Sequence, residues 1–329
     1  MTTRRLALNT LAATCAAAFA ATALLASLTA QAQVKTSRIV VSFSPGGPVD
    51  VVARMLAEQL GKELGHQVLV DNKPGANGAI GAVEVLRAEP DGLTIWITSV
   101  GAAAINPALY DKLPYDMQRD FAPVSMVVDN VELLVTHPAN PAADVKAFVA
   151  NARAAKDPVA MASSGIGSIP HLAIEQLADV TGVKFLHVPY KGAAPAITDL
   201  MGAQVQGFFG DVPGLIGHVK SGKLKALGIA APKRHPALPL VPTLEELGIK
   251  GVDTVNWYAL FVSAKTPPAS VAALNKAVVA AMANPTLREK LTTMGADPLS
   301  SSPQALAALL KSDTDKWAKL IKAKNIKAE

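Results

Sequence analysis

Cysteine is almost absent from this sequence: 329 residues contain one, Cys15, inside an N-terminal apolar stretch. It follows Ala12-Ala13-Thr14 too early in that stretch to be a lipidation site. A chain processed beyond it has no disulfide, no thiol nucleophile and no cysteine metal site. Its stability then rests on a hydrophobic core, which a chain of this length can build. Aromatic residues are scarce as well, at 5%. Lys and Arg nowhere cluster with aromatics between them, so no nucleic acid partner is expected. Past the N-terminal stretch, no segment is apolar for the ~18 residues a membrane span needs. The mature protein is therefore not expected to be membrane-embedded. With 50% hydrophobic and 17% charged residues, it reads as globular rather than disordered.

Catalytic and metal motifs are missing too. The histidines are His66, His137, His171, His187, His218 and His235, with no H-E-x-x-H and no pair at metal-ligand spacing. There is no G-x-S-x-G elbow. Ser164 sits beside glycines like a nucleophile, but no base accompanies it. Tyr190 and Lys191 are adjacent at a strand end, where neighbouring side chains point apart, which disfavours a proton-transfer pair. Asp199 and Glu245-Glu246 read as solvated faces. Neither a metal nor a cofactor is expected.

What the sequence does contain begins with an export signal. Arg4 and Arg5 precede an apolar run from Leu11 to about Leu28, which ends in Ala30-Gln31-Ala32, a small-x-small cleavage pattern. Cleavage near Ala32 would deliver the mature chain to the periplasm. The alternative is an N-terminal anchor, against which the Ala-rich composition and the missing basic stop both speak. Losing the two arginines takes the net charge from +5 to +3, a balance that modestly favours anionic ligands.

Beyond the signal, strand-like and helix-like segments alternate, the pattern of an α/β fold with mostly parallel strands flanked by helices. "RIVVSF" leads into a helix from Pro48, and the alternation restarts past His137. A last third holds "TVNWYALFVSA" and three helices. No linker is visible. The expected organisation is a signal at 1–32, a first lobe at 33–133, a second at 134–230, and a return to the first at 231–329. The chain would cross between lobes near Val131–Val135 and Ala226–Ala230, with a ligand cleft between lobes that close by a hinge.

Glycine loops before helix starts carry the functional signal. In "SFSPGGPVDVVAR" (42–54), glycines let a ligand approach the backbone and Pro48 suits a first helical position. First-turn N–H groups then point at whatever lies in front, an arrangement that holds anions. Asp50, near the third helical position, can cap its own helix. Taken alone, the loop is equally a plain strand-to-helix turn. "SSGIGSIPHLAIEQL" (163–177) repeats the logic with Ser163, Ser164, Gly165, Gly167 and Ser168. "VPYKGAAPAITDL" (188–200) does so with Lys191-Gly192. Cradles from two lobes would make a pincer. In "VDNKPGANGAIGA" (70–82), Pro74-Gly75 reads as a turn and Asn77-Gly78 as a lesser binding candidate. His171 could donate to an anion or be satisfied locally.

Nucleotide readings fail. "GIGSIP" lacks the last glycine of G-x-G-x-x-G. In "GHVKSGKL", Leu224 replaces the magnesium-binding Ser/Thr and the segment follows a helix, so Gly222-Lys223 reads as a helix C-cap. Trp96, Trp257 and Trp317 read as core, with Trp257-Tyr258 alternatively lining the cleft.

The blocks "SFSPGGPVDVVAR", "VDNKPGANGAIGA", "INPALYDKLPYD", "DFAPVS", "VPYKGAAPAITDLMGAQVQ" and "LPLVPTLEELG", in this order, resemble the Bug family. Its members are periplasmic solute-binding proteins of tripartite tricarboxylate transporters. The resemblance runs from about Arg38 to the final helix. It implies a two-lobed periplasmic binding-protein fold of type II character and a small organic acid held by backbone N–H groups. It further implies transient contact with membrane transporter subunits, and we expect a monomer. Carried over by position, the first lobe would contribute Phe43, Ser44, Gly46, Gly47, Asp50 and Ser99. The second would contribute Ser164, Gly165, Ser168, Tyr190, Lys191, Gly192 and Ala193, with Asp211 beside the cleft. Ser44 departs from the family's frequent proline, Ala102-Ala103 from a common polar pair, and "FFGDVP" from a common Asp-Asn. A periplasmic sensor presenting its closed form to a receptor kinase is the alternative, and an exported α/β enzyme a more distant one.

Overall fold

The computed structural model describes residues 35–252, 254–324 and 326–327. The expected signal, with Cys15 and the cleavage point near Ala32, lies outside the described residues. Short apolar strands alternate with amphipathic helices throughout. The strands are β1 (Thr36–Val41), β2 (Gln67–Asn72), β3 (Thr94–Ser99), β4 (Phe121–Asp129), β5 (Glu132–Thr136), β6 (Val159–Ser163), β7 (Phe185–Pro189), β8 (Gly207–Asp211), β9 (Lys225–Ala230), β10 (Tyr258–Ser263) and the two-residue β11 (Asp297–Pro298). They form two sheets, ordered β11-β4-β10-β3-β1-β2 and β7-β6-β8-β5-β9.

The two-sheet α/β expectation holds, but both sheets are mixed rather than mostly parallel. β1 pairs parallel with β3, and β6 parallel with both β7 and β8. These are the strands joined by helical crossovers. β10 runs antiparallel to β3 and β4, and β5 antiparallel to β8 and β9. The antiparallel partners are strands next to a change of sheet, where the chain arrives from the other lobe and need not re-enter through a crossover helix.

Consecutive β4 and β5 lie in different sheets, so the first crossing falls at Asn130-Val131. The second crossing is not at 226–230. That segment is β9, an edge strand of the second sheet, and in sequence an extended crossing and an edge strand look alike. The chain returns at Val255-Asn256, which zips antiparallel to the first crossing: Val131 bridges Val255, and the Asn256 amide donates to the Asn130 carbonyl at 2.9 Å. Between β9 and that return, Leu238, Leu244 and Val252 pack into the second lobe's clusters. The hand-over expected at residue 231 therefore moves some twenty residues on. The expectation missed it because this stretch has no regular element to show its side.

Helices α1 (Pro48–Leu64), α2 (Ala79–Arg87), α3 (Asn106–Leu109), α4 (Met117–Asp120), α5 (Val145–Ala154), α6 (Ile169–Thr181), α7 (Ala193–Met201), α8 (Val212–Lys220), α9 (Pro268–Ala283), α10 (Pro285–Thr293) and α11 (Pro303–Lys324) cover the sheets. α9 and α10 close the first sheet's core together with α1, through Leu274, Val278 and Leu287 against Val52 and Leu56. α11 covers the other face, where Trp317 and Leu306 join Trp96 and Trp257. All three tryptophans are buried. No described helix is long and apolar enough to cross a membrane. Gly222 follows α8 with φ +72°, as the C-cap reading requires.

Candidate functional site

Four helices start at one place. α1 begins behind Gly47, α6 behind Ser168, α7 behind Gly192 and α8 behind Asp211. Three begin with Pro at the first or second position, whose missing N–H costs nothing there. These starts lie at the C-terminal ends of strands, where α/β sheets place their ligands. Together they wall an inner cavity lined by Phe43, Gly47, Pro48, Val49, Ser99, Ser164, Ser168, Ile169, Pro170, Ala193, Asp211 and Asn256. Only ≈ 20 Å³ of it is open to the centre of a water molecule, so the lobes are drawn together. An outer chamber of ≈ 200 Å³ shares Phe43 and Ser164 with it and adds Gly75, Ala76, Asn77, Gly78, Tyr110, Gly165, Ile166, Pro189, Tyr190 and Lys191. A roomier surface groove of ≈ 410 Å³ is walled by one lobe alone, around Ile80 and Leu113.

The closed state is held by direct contact between the lobes. Ser44 Oγ donates to the Lys191 carbonyl at 2.6 Å. Gly192, with φ +129°, lies so near that a Cβ there would meet the Ser44 amide at 3.1 Å. Here a side chain is excluded by both the backbone conformation and the opposing lobe.

Asp50 does not line either chamber. It is 2% exposed, and its carboxylate accepts from the Gly46 amide at 2.9 Å, Arg54 Nε at 3.0 Å and Asn72 Nδ2 at 2.9 Å. Burial alone would raise its pKa; these donors and the Arg54 charge outweigh that and hold it below the ordinary carboxylate value. Its place is behind the loop, fixing Gly46 in the left-handed conformation at φ +77°. Gly46 itself is in neither lining.

Of the other expected residues, Phe43, Gly47, Ser99, Ser164, Ser168, Ala193 and Asp211 meet in the inner cavity. Gly165, Tyr190 and Lys191 line the outer one, while Ser44 and Gly192 form the contact between lobes. Tyr190 donates to Asp199 at 2.6 Å, so Asp199 is not a merely solvated carboxylate. Ala102 and Ala103 are fully buried and face neither chamber.

Sequence reading missed the histidine pair beneath the second loop. His171 and His187 stack at 4.0 Å and 10°. His171 Nδ1 accepts from the Gly167 amide at 3.1 Å, so it is satisfied by local backbone and does not reach the cavity. His187 Nε2 lies 2.6 Å from Ser163 Oγ. Ser163 is wholly buried, so this contact buttresses the loop and presents no nucleophile. Burial chiefly, with the neighbouring His171 ring adding to it, lowers the His187 pKa to about 3.

The inner wall was also incompletely read. Glu132 on β5 sits opposite Asp211 on β8 in the ladder, so both carboxylates share one face of the sheet. Asn256 Nδ2 donates to Asp211 Oδ1 at 2.9 Å, and Tyr258 OH donates to Asp211 Oδ2. Burial raises Asp211 to about 6 even against those donors. Glu132, also buried and facing the Asp211 charge, rises well above the ordinary value. No signal betrays Glu132 or Asn256 in the sequence, since neither adjoins a glycine loop.

Two lobes closing on converging helix starts define a periplasmic binding protein, and the comparisons give the same class. The structure of periplasmic binding protein BugD matches with TM-score 0.86 and 35% identity, over 89% of this chain and 99% of that one. MatC from Rhodopseudomonas palustris with bound malate matches with TM-score 0.83 and 32% identity, over 88% and 99%. Protein BugT of Bordetella pertussis is 33% identical over 286 residues, 87% of this chain and 88% of the relative. Residues 52–326 match the model of the tripartite tricarboxylate transporter family receptor, TctC. The chain belongs to that family, whose members are solute-binding proteins and not enzymes.

Proposed function

We propose that this protein captures a small organic acid between its lobes in the periplasm and hands it to a membrane transporter of the tripartite tricarboxylate class. The observation that carries the reading is the convergence of helix starts from both lobes on one inner cavity. Unpaired first-turn N–H groups and the positive ends of helix dipoles stabilise an anion without a fixed cation. No Lys or Arg lines the inner cavity; Lys191 lines only the outer chamber. Neutral donors suit capture followed by release. The malate in MatC and the transporter in the family's description support the same reading. On it, the residues lining the inner cavity bind the acid, and Asp50 positions the loop. Export by a signal cleaved near Ala32 completes the proposal.

A thermal-shift panel of mono-, di- and tricarboxylates and aromatic acids, with sugars and amino acids as controls, tests it. A bound acid raises the melting temperature with its concentration. Stabilisation by sugars while no acid has any effect would overturn the reading.

A further inference from the structure

The inner cavity is chemically lopsided. The starts of α1, α6 and α7 present donors, yet α8 begins behind Asp211, whose carboxylate does not cap that helix and belongs to the cavity wall instead. That carboxylate takes hydrogen bonds from Asn256 and Tyr258, and it lies beside the fully buried Glu132 on the same face of the sheet. Two oxygens offer about four acceptor positions, so these neighbours leave capacity over. Asn256 also lines the cavity, is 5% exposed, and its Oδ1 is buried with no protein partner. Its amide nitrogen is committed to Asp211 and, at 3.4 Å, to Glu132, which fixes the amide so that the oxygen is what remains. A buried acceptor left without a donor is unfavourable, and a ligand that supplies one relieves it.

We infer that Asp211 and Asn256 form an acceptor subsite that selects, among small acids, those carrying a hydrogen-bond donor such as a hydroxyl or ammonium group. This rests on the proposed function and sharpens it. The acid's carboxylate faces the three donor-bearing helix starts, and its donor faces Asp211 and Asn256. An acid without a donor would leave the Asn256 oxygen unpartnered and set an apolar or anionic group against the Asp211 carboxylate. Tyr258 and Glu132 act through Asp211: they hold its oxygens in place.

Titration calorimetry with matched pairs tests this: malate against succinate, lactate against propionate, 3-hydroxyglutarate against glutarate. Within a pair, charge and length are constant, so the helix starts contribute equally. The hydroxylated member is expected to bind about ten- to a hundredfold tighter, the range of one hydrogen bond to a charged group. In Asp211→Asn and in Asn256→Leu that preference should shrink towards parity, with folding of each variant checked by circular dichroism. The wild-type comparison stands without either variant. Equal or tighter binding of the deoxy members overturns the inference while leaving acid capture intact, and so does an unchanged preference in a folded variant. Binding of an acid from the wider panel but of no member of any pair overturns the inference alone, and the absence of binding by every acid of that panel overturns both.

Discussion

Gly47 shows how one atom can decide function without touching the fold. Its backbone is extended, at φ −77° and ψ 167°, which any residue adopts. A Cβ there would lie 3.3 Å from the Ser44 carbonyl and 3.9 Å from the Ala194 amide of the opposing lobe. Gly47→Val is therefore expected to fold, with an unchanged circular dichroism spectrum, and to lose acid binding in calorimetry because branched atoms enter the space between the lobes. Affinity equal to wild type would place the site elsewhere. Asp50 makes the complementary case, acting on the loop from behind. Asp50→Ala takes an acceptor from the exposed Gly46 amide and from the half-buried Asn72, which keeps the Phe43 carbonyl, at a cost of about 0.5–1.5 kcal/mol per lost hydrogen bond. Lower thermal stability and weaker binding should appear together, although the carboxylate lines no cavity.

At the scale of the element, the loop between β6 and α6 depends on chemistry one strand away. The stacked His171 and His187 rings and the Ser163–His187 contact support it from β7. Because His187 titrates at about 3 in the fold but near 6.5 when unfolded, the unfolded chain takes up the proton first. Its contribution to stability is complete above about pH 6.5 and fades as pH falls towards 3. Asp211, raised to about 6, works in the opposite direction between pH 6 and 4. Thermal melts from pH 7 to 4 should show a shallower acid loss in His187→Gln than in wild type. An identical slope would remove the histidine pair from the pH response.

For the whole molecule, closure is the functional variable. Two chain crossings zipped together at Asn130-Val131 and Val255-Asn256 form a narrow hinge, and the lobes touch through Ser44 and Lys191. Ser44→Ala removes one hydrogen bond among several contacts between the lobes, worth about 0.5–1.5 kcal/mol. It should weaken acid affinity by about two- to tenfold while leaving the melting temperature without ligand unchanged. In solution scattering, a bound acid should lower the radius of gyration of the wild type and do so less completely in the variant. No change in scattering on binding would argue against a closing cleft.

The sequence alone determined the alternation of strands and helices and the three glycine loops, because strand period, proline position and glycine conformation are local properties. It likewise pointed to Trp96 and Trp317 as core, and to Trp257 as core or cleft wall, of which burial decides for the core, since large apolar side chains have few other places to go. Tertiary structure decided what depends on pairing across long separations. The mixed direction of both sheets, the second crossing at Val255-Asn256 rather than at 226–230, and the stack of His171 on His187 arise from residues that become neighbours only on folding. The same holds for Glu132 opposite Asp211 and for Asn256 beside it, which lie 79 and 45 positions from Asp211 in the chain. Local physics wrote the donor side of the cleft into the sequence, and its acceptor side exists only where two strands and a hinge meet.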